Sequence, residues 1–467
     1  MILGLAFLCN SCNIPRLIPK IENRAVPTNF NASADTTAAI LLSWRDFFTD
    51  TALVRLIDTA LVNNQELLQE FQEVVLAQNE IRWRKAALLP AARLGVGGGL
   101  EKVGRYTSRG AAEEVSEIAE GRKVPSPLSD FNIGVTASWE IEIWNKLHNA
   151  RRAAVERYLA TVEGKNYLLT GLISEIAATY YELRALDNQL EIVRQSTGIQ
   201  ERALDIMKVQ KMAGRTTELA VQKFEAEVLH SRSLAFDLRQ RIKETENQLY
   251  LLSGKYPDRM DRDRRDFLAT VLPAVKAGVP SQLLRNRPDI QRAEHELEAA
   301  RLDIKVARAE FFPSLGIKAG VGLQAFNPKY LTSLPESLIA SLAGDLVTPL
   351  INRNAIKAEY YSANARQLKA VYEYERSLLK AVLEVSTGLY NLENLEERYQ
   401  LQTKQVAALN RAVEVSGDLF QSARADYLEV LTTQRDALEA KLELVDTKKE
   451  QVQSVIHLYR ALGGGWQ

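Results

Sequence analysis

Cysteine is nearly absent from this sequence of 467 residues: the two cysteines are Cys9 and Cys12. Structural disulfides and thiolate metal sites are therefore excluded from everything beyond Cys12. A chain without free thiols also suits an oxidising compartment, in which an unpaired thiol is a liability.

An excess of either charge is lacking, because 59 basic residues balance 59 acidic ones. Nucleic-acid-binding proteins normally carry a basic surface, so we expect no nucleic-acid partner. The few histidines are scattered without an HExxH pair, and Gly95-Val-Gly-Gly-Gly99 lacks the rest of a dinucleotide-binding loop. The sequence thus predicts no catalytic residue, no metal site and no cofactor, and we expect a protein that is not an enzyme.

Long apolar runs are missing too. The run that begins at Met1 is far too short for a membrane-spanning helix and is typical of the end of a signal peptide. The small residue Ser11 precedes Cys12, as in a bacterial lipoprotein processing site. We therefore predict a signal peptide at 1–11, lipidation of Cys12 and an extended anchored segment at 12–43. The alternative is a disordered start with two incidental cysteines.

Proline is absent between Pro127 and Pro257, and again after Pro349. Both stretches are rich in strong helix formers, and an interior proline would break a helix. Their apolar residues follow a heptad-like spacing, which predicts coiled-coil packing of long helices. Each stretch is interrupted by one turn. The predicted helical hairpins are 145–252 and 353–462.

Strict alternation of apolar and polar residues marks four other segments. Between Asp130 and Ile143 nearly every second residue is apolar, with Asn, Gly, Thr, Ser or Glu in between, and a period of two is typical of a strand. Each segment has the length of a tilted membrane strand, and its polar face suits a water-filled lumen. The predicted strands are 92–100, 130–143, 314–324 and 338–348.

Four strands cannot close a barrel by themselves. An open edge in lipid would leave backbone groups unpaired at several kcal/mol each, so other copies must complete the wall. Three copies would supply twelve strands, although the strand count alone leaves two or four copies open. The alternative for these segments is an ordinary antiparallel sheet with one buried face.

The chain is also an internal duplication. A strand pair followed by a long hairpin occurs twice, and Leu249-Tyr-Leu-Leu-Ser-Gly254 returns 209 residues later as Leu458-Tyr-Arg-Ala-Leu-Gly463. Pro90 and Pro313 each close a helix just before a first strand. We place the first repeat at 44–254, a solvated linker at 255–280 and the second repeat at 281–467.

The start of the second repeat carries a specific motif. Arg285-Asn-Arg-Pro-Asp-Ile290 is followed by Ala309-Glu-Phe-Phe-Pro313, and both resemble the mid-chain signature of the TolC-like outer-membrane efflux channels, especially their lipid-anchored branch. Trp139–Lys146 and Thr348–Arg353 resemble the strand-to-helix junctions of that family. The resemblance covers 44–463.

This resemblance implies a mixed fold, in which a membrane β-barrel continues into an α-helical coiled-coil barrel. A homotrimer would place twelve strands in the bacterial outer membrane and a twelve-helix tunnel in the periplasm, with each protomer anchored to outer-membrane lipid. An inner-membrane RND-type pump and a periplasmic adaptor (membrane fusion) protein would drive export of drugs, toxic compounds or metal ions through this passive duct. The alternatives are a type I protein secretion channel of the same fold and a non-transporting coiled-coil scaffold.

The resemblance further implies a periplasmic gate at the two helical turns, which centre on 211–219 and 420–432. Glu429 takes the first acidic position that lines the constriction of the family, whereas the second position holds the neutral Thr432. Three copies of Glu429 would favour cations and repel anions. The alternative is that Glu429 is a solvated helix residue.

Other residues of the turns receive roles by the same resemblance. Arg424 and Asp426 would form inter-helix ties that hold the gate shut, or else belong to an ordinary surface turn. We interpret the Arg285–Asp289 stretch as structural, with its proline starting a helix and its arginines tying loops together. The predicted adaptor contacts are Gly214, Arg215 and Ala423.

Overall fold

The computed structural model describes residues 14–18, 20–30, 42–262, 266–273, 278–348, 353–422 and 424–466, which form two compact units. The sheet unit comprises 76–158 and 295–371 together with the chain up to residue 21. The helical unit comprises 22–75, 159–294 and the chain from 372 onward. Each unit draws on both halves of the sequence, so the compact units and the sequence repeats are different divisions of the chain.

Helices dominate the described residues. No helix in these ranges is both long and apolar enough to cross a lipid bilayer. The α-helices are α1 (Trp44–Phe47), α2 (Thr51–Asn63), α3 (Gln65–Ala86), α4 (Ser108–Val115), α5 (Lys146–Met212), α6 (Glu218–Leu252), α7 (Leu283–Asn286), α8 (Pro288–Ala309), α9 (Asn354–Gln421) and α10 (Tyr427–Ala461).

The heptad positions form the core of the helical unit. Leu183, Leu186 and Leu190 of α5 are buried in one cluster with Leu438 and Val445 of α10. The spacing of three and four residues keeps these side chains on one face of each helix, where they pack between the partner's side chains. The coiled-coil packing that the sequence predicts is present at these positions.

The sheet unit contains one four-stranded antiparallel sheet and, in a loop, a small hairpin of two strands. The order in the large sheet is β1-β4-β5-β6, so each strand pair of the sequence is a hairpin and the two hairpins meet through β4 and β5. The strands are β1 (Ala91–Glu101), β2 (Glu117–Ala119), β3 (Arg122–Lys123), β4 (Leu128–Ile141), β5 (Ser314–Ala325) and β6 (Leu338–Val347).

The register joins the predicted apolar faces into one surface. Val135 lies opposite Leu94 on one side and Val321 on the other, and Val321 lies opposite Ala340. Because side chains alternate across a sheet, the polar and glycine positions fall together on the second face. The apolar alternation therefore runs unbroken across all four strands of the large sheet.

Strand β4 ends two residues before the predicted end at Ile143. The side chain of Glu142 accepts hydrogen bonds from the backbone N–H groups of Leu147 and His148, at 2.7 and 3.1 Å, in the first turn of α5. A carboxylate is favourable at a helix N-terminus because it meets unpaired N–H groups and the positive end of the helix dipole. The chain thus leaves the strand in order to start the helix.

The loop between β1 and β4 is more ordered than its polar composition suggests. It contains helix α4, capped by Thr107, and the β2–β3 hairpin. Arg109 of α4 forms a double hydrogen bond with Glu101 at the end of β1, at 2.9 Å for each bond, and a third with Glu113. These ion pairs fix a short helix that has little stability of its own.

The segment at 255–280 is not a purely solvated linker. Phe267 is 1% exposed and lies in the main cluster of the helical unit. Arg262 bridges Asp187 of α5 and Glu246 of α6, at 2.8 and 2.6 Å. The prediction of a solvated segment was wrong at these positions, because the charges that suggested solvent exposure pair with the helices and the single aromatic ring is buried.

The duplication is visible where the helices meet. The Asn64 side chain donates to the carbonyl of Leu252 at 2.9 Å, and that of Arg287 donates to the carbonyl of Ala461 at 3.0 Å. Residue 287 is the counterpart of residue 64, and residue 461 is the counterpart of residue 252. In both repeats, therefore, a side chain at the start of one helix satisfies a carbonyl at the end of another, which would otherwise lack a donor.

Candidate functional site

The turn between α5 and α6 is closed by its own backbone. Gly214 has a positive φ of 70°, its N–H donates to the Lys211 carbonyl at 2.9 Å, and the N–H of Arg215 donates to the Gln210 carbonyl at 2.9 Å. This pair of bonds is the Schellman motif, in which glycine takes the left-handed position at low cost. Gly214 and Arg215, two predicted adaptor contacts, therefore form the end of a helix with a fixed backbone.

The next helix is tied to this turn by side chains. Thr217 accepts a hydrogen bond from the Ala220 N–H at 3.3 Å and caps α6. Glu218 forms an ion pair with Lys211 across the turn and accepts a hydrogen bond from Gln222 at 2.8 Å. The hydrogen bond from Lys211, and then that from Gln222, lower the pKa of the exposed Glu218 carboxyl.

The turn between α9 and α10 repeats this construction 209 residues later. The N–H of Arg424 donates to the Leu419 carbonyl at 2.8 Å, as Arg215 does to Gln210. Asp426 takes the place of Thr217 as the N-cap, and its carboxylate accepts from the Tyr427 N–H at 2.6 Å. The prediction that Asp426 caps the helix is confirmed. Ala423 lies outside the described residues.

The two hairpins meet beside these turns through a small apolar cluster. Val430 of α10 is buried with Val221 and Phe224 of α6, and with Leu204 and Met207 of α5. Each of these side chains lies within a few helical turns of its own loop, so the cluster fixes one turn relative to the other. The sequence signalled this contact only weakly, because isolated apolar residues near a turn have no distinctive pattern.

Glu429 lies in the first turn of α10 with an exposed side chain. Its carbonyl accepts hydrogen bonds from the hydroxyls of Thr433, at 2.6 Å, and Thr432, at 3.2 Å. Thr432 is thus bonded to the helix backbone. Within one protomer, the Glu429 carboxylate is the acidic group of this turn of the helix that is free to face solvent or a pore.

The predicted ties from Arg424 and Asp426 are not made within one protomer. The Arg424 side chain is exposed and has no ion-pair partner among the described residues, while Asp426 is engaged in capping α10. Ties to helices of another copy stay a prediction.

Exposed apolar side chains surround the first turn, a feature that the sequence analysis did not identify. Val209 and Met212 precede the turn and Leu219 follows it, and all three are mostly exposed. A group of apolar side chains that solvent surrounds is typical of a contact surface. Their signal in the sequence was the departure of these residues from the buried heptad positions.

Arg287 has a structural role, as predicted. Its buried guanidinium makes a paired contact with Asp289, at 2.9 and 2.6 Å, and a further bond with Glu384 of α9 at 2.8 Å. Burial acts to lower the pKa of Arg287, but the hydrogen bonds and charges of the two carboxylates outweigh it and raise the pKa. Pro288 is the first residue of α8, where its missing N–H costs nothing.

Aromatic residues mark the ends of the strands. Trp139 of β4 donates its indole N–H to the Leu88 carbonyl at 3.0 Å, and Trp144 donates to the Pro313 carbonyl at 2.7 Å. Trp144 also stacks on Phe312, with ring centroids 4.7 Å apart. Tryptophan is enriched at membrane–water interfaces because its ring is apolar and its N–H is polar.

The start of the described chain packs at the same junction. Ile14 and Leu17 contact a buried cluster of α8 and α9 that contains Phe311 and Tyr360. The Lys20 carbonyl accepts from the Gln367 side chain at 3.4 Å. Cys12, the predicted lipidation site, lies outside the described residues and is separated from Ile14 by a single residue.

Sequence comparison identifies the family of this chain. A family model described as outer membrane efflux protein matches residues 56–255 and 279–464. The chain belongs to the outer membrane efflux protein family. Similar members include the pyoverdine export protein OpmQ of Pseudomonas aeruginosa, 28% identical over 458 residues, which are 96% of this chain and 93% of OpmQ. The toluene efflux pump outer membrane protein TtgF of Pseudomonas putida is 31% identical over 441 residues, 91% of this chain and 86% of TtgF.

Solved structures agree with this membership. A crystal structure of CusC, in work on transmembrane channel formation, superposes with a TM-score of 0.82 at 26% identity and covers 96% of this chain and 100% of CusC. The open MtrE outer membrane channel of Neisseria gonorrhoeae has a TM-score of 0.84 over 97% of this chain and 98% of MtrE; at 22% identity it shows the fold alone.

This outer membrane efflux protein therefore has the fold class predicted from its sequence, a protomer with four membrane-length strands and two long helical hairpins. The resemblance to the TolC-like channels is confirmed, as are efflux as the function and the outer membrane as the location. The family is one of channels rather than enzymes, and the alternative of a non-transporting scaffold is set aside.

Proposed function

We propose that three copies of this chain form a passive exit duct in the outer membrane, driven by an inner-membrane pump through a periplasmic adaptor. The observation that carries the proposal is the sheet with two open edges. β1 pairs only with β4 and β6 only with β5, and both are of membrane length. An open edge in lipid leaves backbone groups unsatisfied, so the edges must meet those of other copies.

The entrance of the proposed duct is the pair of helical turns. Three copies of Glu429 would place three carboxylates around the opening, and a ring of carboxylates favours cations. The exposed side chain of Glu429 near the N-terminus of α10 supports this position. In the closed state, Arg424 would find its partner on a neighbouring copy, since it has none among the described residues of one chain.

The adaptor would bind the same turns from outside. Gly214, Arg215 and Ala423 remain the proposed contacts, and the exposed Met212 and Leu219 add apolar surface around them. The fixed backbone of the first turn supports this role, because a rigid contact loses little conformational entropy on binding.

Lipid attachment at Cys12 is part of the proposal. Ile14 packs near Phe311, which directly precedes β5 and lies beside the tryptophans at the strand ends. Two extended residues span about 7 Å, so Cys12 would lie close to the membrane boundary that these aromatic residues mark. An acyl chain there would reach the bilayer without distorting the chain.

The proposed cargo is a small molecule. The relatives are named for pyoverdine, for toluene and, in CusC, for cations. These cargoes share little chemistry beyond small size, which fits a duct whose pump and adaptor select the substrate. We place drugs, toxic organic compounds and metal ions within the class, and multidrug resistance as the expected consequence of expression.

The test is single-channel conductance of the purified protein in a planar bilayer, with Glu429→Gln beside the parent. We expect a cation-selective pore whose selectivity falls at least two-fold in the variant, because the charge of the ring is lost. Glu439→Gln, ten residues further along α10, is the matched control and should retain the selectivity. A monomer without conductance would contradict the proposed duct, whereas unchanged selectivity in Glu429→Gln would contradict only the position of the gate.

A further inference from the structure

The two open edges of the sheet differ in sequence but hold equivalent places in the two repeats. β1 begins the first strand pair and β6 ends the second. If copies of the chain close a barrel, as the proposed function requires, β6 of one copy must lie beside β1 of the next. The remaining question is the register, which determines which residues meet across the seam between copies.

The repeats are related by two constant shifts in residue number. Before the loop between the strands the shift is 223, because Asn64 and Arg287 make equivalent bonds; after the loop it is 209, because Leu252 and Ala461 accept them. Two glycines agree with both shifts. A Cβ atom on Gly254 would lie 2.2 Å from the Asn63 carbonyl oxygen, and one on Gly463 would lie 2.3 Å from that of Asn286.

The strand pairs obey the same shifts. Ala91 lies opposite Ser138 in the first pair. Their counterparts, 223 and 209 residues later, are Ser314 and Val347, which lie opposite each other in the second pair. The two hairpins of the sheet therefore have the same register without a slip, although their connecting loops differ in length.

The contact between the repeats supplies the missing register. Within the chain, β4 pairs with β5 so that Ile133 lies opposite Leu323. The counterpart of Ile133 is Leu342 on β6, and the counterpart of Leu323 is Leu100 on β1. We propose that β6 of one copy pairs antiparallel with β1 of the next, with Leu342 opposite Leu100.

The chemistry of the resulting rows is consistent. Leu342 and Leu100 are 80% and 73% exposed in one copy, and both belong to the apolar face. Four residues along the seam, Leu346 lies opposite Val96, two further exposed aliphatic side chains of that face. On the other face Ser341 lies opposite Glu101, so no like charges meet there.

Other registers fit less well. A slip by one residue would bring the apolar face of one strand against the polar face of the other, since side chains alternate. A slip by two residues in one direction would place Lys102 opposite Leu342 on the lipid-facing side, where a lysine is unfavourable. A slip by two in the other direction would place Gly98 opposite Leu342 and leave Leu100 beside Ala340.

Disulfide formation in membranes tests the register. Leu342→Cys with Leu100→Cys should give reducible covalent dimers and trimers, and so should Ser341→Cys with Glu101→Cys in the adjacent row. Adjacent rows alternate in hydrogen-bonding type, so one of the two has the closer Cβ atoms. Leu342→Cys paired with Gly98→Cys or with Lys102→Cys should give at least five-fold less product, because two residues shift the Cβ atoms by about 7 Å.

The chain supplies an internal control. Ile133→Cys with Leu323→Cys is the equivalent pair within one copy and should form an intramolecular disulfide, whereas the single variants should form no covalent oligomer. A higher yield from either shifted pair would overturn the proposed register. So would a trimer in which the internal pair reacts and no inter-copy pair does. A monomer by native mass, without conductance, would overturn the duct itself, so the two failures are distinguishable.

Discussion

At the scale of single residues, equivalent places in the two repeats are filled by different chemistry. Asn64 is neutral and closes its junction with one bond to Leu252. Arg287 performs the same task for Ala461 but is charged, and it needs Asp289 and Glu384 to compensate its burial. A buried charge is tolerated only when it is paired and hydrogen-bonded, so the second junction depends on three side chains where the first depends on one.

We predict that Arg287→Met lowers the free energy of unfolding by about 3 kcal/mol, because it leaves two carboxylates without their partner and the Ala461 carbonyl without a donor. Denaturant titration of the helical circular dichroism signal in detergent would measure it. Arg285→Met is the matched control, since Arg285 is exposed, and its effect should stay within about 0.5 kcal/mol. Equal effects from the two variants would contradict the role of Arg287.

At the scale of helices, two buried glutamines show how polar groups enter a coiled-coil interior. Gln200 of α5 is fully buried, and neither amide atom has a hydrogen-bond partner within the described ranges. Gln451 of α10 is also buried, but its amide donates to the Leu395 carbonyl at 3.2 Å and to Glu396 at 3.0 Å. A buried polar group without a partner costs free energy, while a paired one is close to neutral.

The two glutamines should therefore respond oppositely to the same substitution. We predict that Gln200→Leu raises the free energy of unfolding by about 1–2 kcal/mol, because it removes an unsatisfied amide at similar volume. Gln451→Leu should lower it by about 1 kcal/mol, because it leaves Leu395 and Glu396 without a donor. Thermal unfolding of both variants beside the parent would measure the difference. A loss of stability in Gln200→Leu would show that its amide is satisfied in the assembled protein.

The sequence predicted these helices well because their signal is repeated over many turns. Heptad spacing and the absence of proline marked both hairpins, and Gly214 and Asp426 marked their turns. Helix α4 escaped prediction, because its stability comes from the contact of Arg109 with Glu101 rather than from a repeated pattern. The burial of Phe267 and the meeting of the hairpins at Val430 also depend on distant partners.

At the scale of the whole molecule, the two repeats differ mainly in one loop. The difference between the shifts of 223 and 209 residues lies entirely between the strands, where the first loop holds α4 and the β2–β3 hairpin and the second is shorter. Strands and helices on either side keep their equivalence. The loop is therefore an addition at one end of the sheet that leaves the register of the wall unchanged.

We predict that replacing residues 102–127 with residues 326–337 leaves the assembly intact, because the loop takes no part in the strand ladders. Native mass and conductance would measure it, and conductance should be no lower than that of the parent. Deleting β6 (Leu338–Val347) is the control and should abolish assembly, since it removes an edge that closes the wall. Loss of assembly on loop exchange would assign the loop a part in joining the copies.

The equivalence of the repeats has a consequence for the ancestry of the fold. Since β4 meets β5 within a copy much as we propose that β6 meets β1 between copies, a half-length ancestor with one strand pair and one hairpin could have built the same wall from six subunits. Fusion of two such genes made every second seam internal to a chain. From then on each half was free to diverge, as Asn64 and Arg287 have diverged, without asking six identical surfaces to change together.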